Sequence, residues 1–306
     1  MKYIRNIAIL ACLLFASSAL AQPNAPFTQQ DEPTALIAAY YDAITLKDYA
    51  RAYSYWEQAP RNQTEAQFAA GFADTVSASA IIRLPIFMDA GAGNVFAQMP
   101  TLVTAVRNNN TTVYFVGCFT AHKTNVPVGN ATEPDPNWYL RTGTLRQAST
   151  PNLTTLDTAC PQTESLVDPI NSGGSQLDPV QLIQSYFVQV ANGISGASYW
   201  PNGDVFEQQY GQFITPTTNI SLYVNPKIVQ EGAAGSIYAT IPALTILTNG
   251  SATTYVVGCY TARRVNVPVG NAAEPDPNWH FENATLSRAM DVPAAVAMLN
   301  QGCAPA

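Results

Sequence analysis

Residues 112–138 read TVYFVGCFTAHKTNVPVGNATEPDPNW, and residues 253–279 read TTYVVGCYTARRVNVPVGNAAEPDPNW. The two align without a gap at 20 identical positions of 27, a match that only duplication explains. Upstream the likeness thins but keeps its order. Leu36, Ile37, Tyr40, Tyr41 and Ile44 match Leu182, Ile183, Tyr186, Phe187 and Val190, and Trp56 matches Trp200. A repeated unit of about 130 residues is domain-sized and too long for a solenoid. The sequence therefore divides into a first domain over residues 32–160, a linker over 161–177 and a second domain over 178–306. The linker contains Asn171-Ser172-Gly173-Gly174-Ser175, which offers nothing to pack and reads as flexible chain.

In the first copy, apolar positions 36, 37, 40, 41 and 44 follow Pro33 at the spacing of an amphipathic helix. Tyr49, Ala52, Tyr53 and Trp56 continue the period in a second short helix, and Phe68 and Phe72 mark a third. After Thr75 the period changes. Segments 77–88, 95–107, 111–121 and 138–145 are rich in β-branched and aromatic residues and are predicted to be strands. Turns at 91–94, at 108–110 and at Asn249-Gly250 suit antiparallel neighbours. Helices first and strands after give an α+β fold, with helices covering one face of a curved antiparallel sheet.

Lys2 and Arg5 precede an apolar run over residues 7–15 and the small-x-small site Ala19-Leu20-Ala21, so residues 1–21 read as a signal peptide cleaved before Gln22. The run falls well short of the ~20 residues that span a bilayer. Charged residues are 11% of the chain, far below the average of about 25%, which suits a periplasmic or secreted protein. Apolar residues at 47% exclude a disordered chain, and 14 basic residues in a chain of net charge -7 exclude a nucleic-acid partner. Four cysteines remain after the signal. Each copy owns one in its repeated core and one at its tail, so the economical pairing is Cys118 with Cys160 and Cys259 with Cys303. Each bond would contribute roughly 3 to 4 kcal/mol through loop entropy.

The helix ending Tyr40-Tyr41-Asp42-Ala43-Ile44, the segment Lys47-Asp48-Tyr49-Ala50-Arg51-Ala52-Tyr53 with Trp56, and the Phe68–Phe72 pair together resemble the nuclear-transport-factor-2-like superfamily. That superfamily includes polyketide cyclases and ketosteroid isomerase. The resemblance implies two tandem cones, each with three N-terminal helices wrapped by a bent sheet. It also implies that the cones pack as an intramolecular pseudo-dimer through the open sheet face. Its enzymes use an Asp, His or Tyr projecting from the sheet, whereas the carboxylates of copy one fall in predicted helices, turns and tails.

No catalytic set is expected. Asp42 and Asp48 flank a helix end, and His122 and His280 face Arg263 and Tyr139 in the other copy, so neither imidazole is repeated. No cluster has metal-ligand spacing, and no cofactor motif is present. Tyr40, Tyr41, Tyr53, Trp56, Tyr186, Phe187 and Trp200 are candidates to line an apolar pocket. Glu133, Asp135 and Trp138, with Glu274, Asp276 and Trp279, are candidates in the repeated Pro-rich loops. These features point to an exported binding protein for a small apolar ligand or an envelope protein. The alternatives are a structural envelope protein and a cryptic isomerase- or dehydratase-like enzyme.

Overall fold

Pro33 fixes the first turn of α1 (Pro33–Thr45), and the apolar positions that follow it are buried. The structure is a computed structural model that describes residues 26–127, 129, 131–161, 176–215, 217–233, 235–267 and 276–303. The signal segment, all but the ends of the expected linker, and Glu274 lie outside the described residues. Asp48 caps α2 (Tyr49–Ser54), its carboxylate accepting from the Arg51 amide. A reciprocal capping box of Thr64 and Gln67 opens α3 (Glu65–Ala70).

The strands of the first half are β1 (Thr75–Leu84), β2 (Phe87–Gly91), β3 (Asn94–Arg107), β4 (Thr112–Thr124), β5 (Tyr139–Gly143) and β6 (Arg146–Ala148). The single strand expected over 77–88 is thus two. Pro85 has no N–H for the ladder, so β1 stops at Leu84 and β2 resumes as a partner of β3. Asp89 on β2 consequently puts a carboxylate in a strand of the first copy, against expectation, but it is exposed. The segment 138–145 is a strand only from Tyr139 to Gly143, and β6 begins beyond it at Arg146. The Thr144 carbonyl crosses so close over Gly117 that a Cβ there would sit 2.0 Å from it, which explains the glycine beside Cys118.

The second half repeats this order with α4 (Pro179–Ala191), α5 (Val205–Tyr210), β7 (Asn219–Val224), β8 (Val229–Ala233), β9 (Ser236–Asn249), β10 (Ala252–Val265) and β11 (His280–Ala289), and ends in α6 (Val292–Gln301). All eleven strands belong to one antiparallel sheet, ordered β11-β10-β9-β7-β1-β3-β4-β5, with β2 on β3, β6 on β4 and β8 on β9. The halves meet where Ile82, Arg83 and Leu84 pair with Val224, Tyr223 and Leu222. Ile82 faces Thr101 as Val224 faces Ala243, and the preceding Pro100 and Pro242 pair with Cys118 and Cys259. Ile82 and Val224 are therefore equivalent positions that pair with each other. The sheets of the two halves thus join strand edge to strand edge, not through the open sheet face that the resemblance implies, because the pairing of β1 with β7 makes them one continuous sheet.

One sheet face carries the main core, to which α1 to α5 contribute. The central strands bury a second cluster on the other face: Ile81, Leu102, Tyr223, Leu244 and Val257 pack with Leu153 and Leu156 of a 3-10 turn (Leu153–Thr158) and with Ala295, Val296 and Leu299 of α6. The disulfides Cys118–Cys160 and Cys259–Cys303 tie these two tail segments down. From α6, the Asn300 amide donates to Thr104 Oγ1 and its carbonyl accepts from Ser79, so the last helix of the second half is bonded to the first half. No helix among the described residues is long and apolar enough to cross a membrane.

Candidate functional site

The helices of the first half do not fill the space above their sheet. A cavity of about 570 Å³ remains, open at one end and walled by Tyr40, Tyr41, Trp56, Phe68, Phe72, Phe115 and Phe119. Its floor includes Ala78 and Ala105, which are paired across β1 and β3. Its mouth carries Arg61, Arg107 and Arg141 against Asp74, with Gln58 and Gln63. Arg107 is paired with Asp74 at 3.4 Å. Arg141 lies 3.6 Å from Glu57 and 5.3 Å over the Phe96 ring. Arg61 has no ion pair among the described residues. Its backbone and that of the next residue are left-handed, Arg61 at φ 52 and Asn62 at φ 56.

Burial pushes the Tyr40 and Tyr41 phenols well above the usual tyrosine range, so both are neutral hydroxyls able to donate. The Tyr41 hydroxyl makes no hydrogen bond among the described residues. The Trp56 indole N–H is near the Tyr40 hydroxyl but outside hydrogen-bond geometry, and it is buried without a partner. Tyr40 and Trp56 meet edge to face at 5.9 Å, and Tyr41 meets Phe119 at 6.2 Å.

The second half keeps those ring geometries over larger residues, and its cavity, about 640 Å³, lies beside them along the end of α4 and α5, lined by Val190, Ile194, Glu207, Ile214 and Thr218. Tyr186 meets Trp200 at 5.9 Å and Phe187 meets Tyr260 at 6.2 Å. The equivalents of Ala78 and Ala105 are Ile220 and Leu247, paired across β7 and β9 and buried in the main core. Phe281 replaces Leu140 opposite the alanine that follows in each register, Ala262 and Ala121. Tyr186, Phe187, Phe206, Tyr260 and Phe281 are all fully buried. The N-cap of α5 is Asp204 where α3 has Thr64, and this carboxylate accepts the Tyr186 hydroxyl at 2.8 Å. Tyr40 has no such acceptor among the described residues.

Of the seven aromatic candidates, Tyr40, Tyr41 and Trp56 line the cavity. Tyr53 packs on Phe68 at 5.6 Å and donates to the Gln63 carbonyl at 2.8 Å. Tyr186, Phe187 and Trp200 are second-half core. The arginines at the mouth and the alanine pair escaped the sequence reading. Their signal is the difference between the copies: Ala to Ile, Ala to Leu and Thr to Asp at equivalent positions.

The repeated loops hold the chain together around their tryptophans. Trp138 and Trp279 are buried, and Lys123 and Arg264 lie 5.3 Å and 5.1 Å over their rings. The Trp138 amide donates to the Gln30 carbonyl and that of Trp279 to the Gln176 carbonyl, both at 2.8 Å, so each loop clasps the segment leading into its copy's first helix. Asp135 and Asp276 each accept the amide two residues on, from Asn137 and Asn278, and Tyr139 donates to Asp135. Glu133 is exposed.

Asp42 is a buried node, not a free base. It accepts the Phe27 amide at 2.9 Å, Lys227 at 2.7 Å and Arg51 at 3.3 Å. His122 bridges Glu57 and Asn94 at 3.1 Å and 2.7 Å. His280 sits near the surface, 3.5 Å from Asp276. Among the described residues no group of three His, Cys, Asp or Glu side chains could hold a metal ion. The chain matches no protein-family model and no curated protein.

Proposed function

We propose that this chain is an exported, non-catalytic binding protein, built as two nuclear-transport-factor-2-like cones joined as an intramolecular pseudo-dimer. The first cone takes a small apolar ligand and the second is its scaffold. One observation carries the reading: the same ring framework lines a cavity over the small Ala78–Ala105 pair and sits over the bulkier, buried Ile220–Leu247 pair in the second half, whose own cavity of about 640 Å³ is lined by none of those rings. A cavity of about 570 Å³ lies within the 300–1,000 Å³ range of small-molecule sites. It is costly to keep, because filling such space ordinarily stabilises a core. The second copy already carries the filling residues, so their absence from the first is consistent with use of the space. The polar groups near the rings do not form a nucleophile–base pair, and Asp42 is engaged by three donors.

Native mass spectrometry of the protein purified from its own exported fraction tests this. The expected result is a bound small molecule on the wild type and none on Ala78→Ile/Ala105→Leu. Equal masses for the two proteins, after correction for the substitutions, would count against the cavity as a ligand site.

A further inference from the structure

The cavity combines an apolar interior with a cationic mouth in an acidic protein. Three of the 14 basic residues of a chain with net charge -7 converge on this one opening, against a single lining carboxylate. Asp74 and Glu57 engage two of the three, leaving the exposed Arg61 guanidinium without an ion-pair partner among the described residues. Behind it stand the Tyr41 hydroxyl, which makes no hydrogen bond among the described residues, and the Trp56 indole N–H, which is close to the Tyr40 hydroxyl and unpartnered, as the Trp200 indole is in the second half. The cavity thus joins an apolar interior to a mouth where arginines outnumber carboxylates. An uncharged hydrocarbon would gain nothing from this charge, whereas a ligand with an anionic end would form a charge-assisted hydrogen bond to it.

We propose, resting on the reading of this cavity as a ligand site, that the ligand is an amphipathic carboxylate. Its ring-sized apolar body lies among Tyr40, Tyr41, Trp56, Phe68 and Phe119, and its carboxylate is received by Arg61 at the mouth. A guanidinium grips a carboxylate through two parallel N–H donors, which also fixes which end of the ligand enters first. The left-handed backbone at Arg61 and Asn62 aims that grip, a strained conformation of the kind that accumulates at ligand clamps.

The test uses two fluorescent probes of nearly equal shape, 1-pyrenebutyrate and its uncharged amide, titrated into the full protein. The wild type should bind the carboxylate about tenfold or more tighter than the amide. Arg61→Asn, a residue that tolerates positive φ, should weaken the carboxylate about tenfold and leave the amide within about twofold; Arg61→Lys should recover part of the loss. Ala78→Ile/Ala105→Leu should abolish both. If the filled variant loses both probes but the wild type binds them equally, or Arg61→Asn leaves the carboxylate unchanged, the anion preference is wrong while the cavity reading stands. If the wild type takes up neither probe, or the filled variant binds them as before, the cavity is not the site and both readings fall.

Discussion

Two alanines and one aspartate do work in this molecule that their side-chain types would not suggest. Ala78 and Ala105 stand opposite each other on β1 and β3, where the second half has Ile220 and Leu247. Replacing them by their second-half counterparts adds apolar atoms to existing space, so Ala78→Ile/Ala105→Leu should raise stability by about 0.5–2 kcal/mol in urea unfolding. A loss of stability would mean that the wall cannot accept the larger residues. Asp42 has a side chain only 5% exposed and joins the incoming N-terminal segment, α2 and the second half through Phe27, Arg51 and Lys227. Asp42→Ala would strand a buried amide and uncouple two cations, and should cost about 2–4 kcal/mol. The exposed Asp89→Ala on β2 should stay within about 0.5 kcal/mol and serves as the control.

Among the elements, α6 shows what a pattern can and cannot reveal. Asp291 caps it and Pro293 stands in its first turn, so its start is written in the sequence even though the region first reads as a tail. Its destination is not so written, because it packs over β9, β10 and β11 of its own half and also over β1 of the other, where Ile81 alternates with residues facing the main core. The same holds for the join between β1 and β7. Periodicity identifies strands but not which edges pair, whereas the repeat was enough to pair the cysteines. Pro85 shows the converse, a legible strand break inside a segment whose composition suggested continuity. The cavity was illegible for a further reason: it depends on the summed volume of residues from α1, α3, β1, β3 and β4, which only the register brings together. The bond between Cys259 and Cys303 closes a separation of 44 residues. Changing both cysteines to Ser should cost roughly 3–4 kcal/mol by loop entropy. Hydrogen exchange should locate the loss in α6 and in the strands beneath it, and uniform exchange across the molecule would contradict that placement.

At the scale of the whole molecule, the two halves bring like charges together. Glu32 precedes Pro33 at the start of α1, and Asp178 precedes Pro179 at the start of α4. Burial, then the charges of Asp178 and Asp31, push the Glu32 carboxyl up to about 7 against the opposing pull of Lys123. Asp178 is also raised, chiefly by burial, and one of its oxygens is buried without a partner. A carboxyl raised in the folded state binds its proton more tightly there than in the unfolded chain. Its stabilising effect is therefore complete below the ordinary value of 4.5 and is lost as pH rises through about 7. Asp276 shifts the other way, but from an ordinary value of 3.8, so its effect falls below this window. Unfolding free energy measured between pH 4.5 and 8 should therefore decline by about 1–2 kcal/mol, the partial solvation of the cluster keeping it below what the shift alone implies. Glu32 makes no capping hydrogen bond in α1, so Glu32→Gln removes the charge without removing a cap. That variant should match the wild type near pH 4.5, exceed it at pH 8 and show most of the slope abolished; an unchanged slope would place the titration elsewhere.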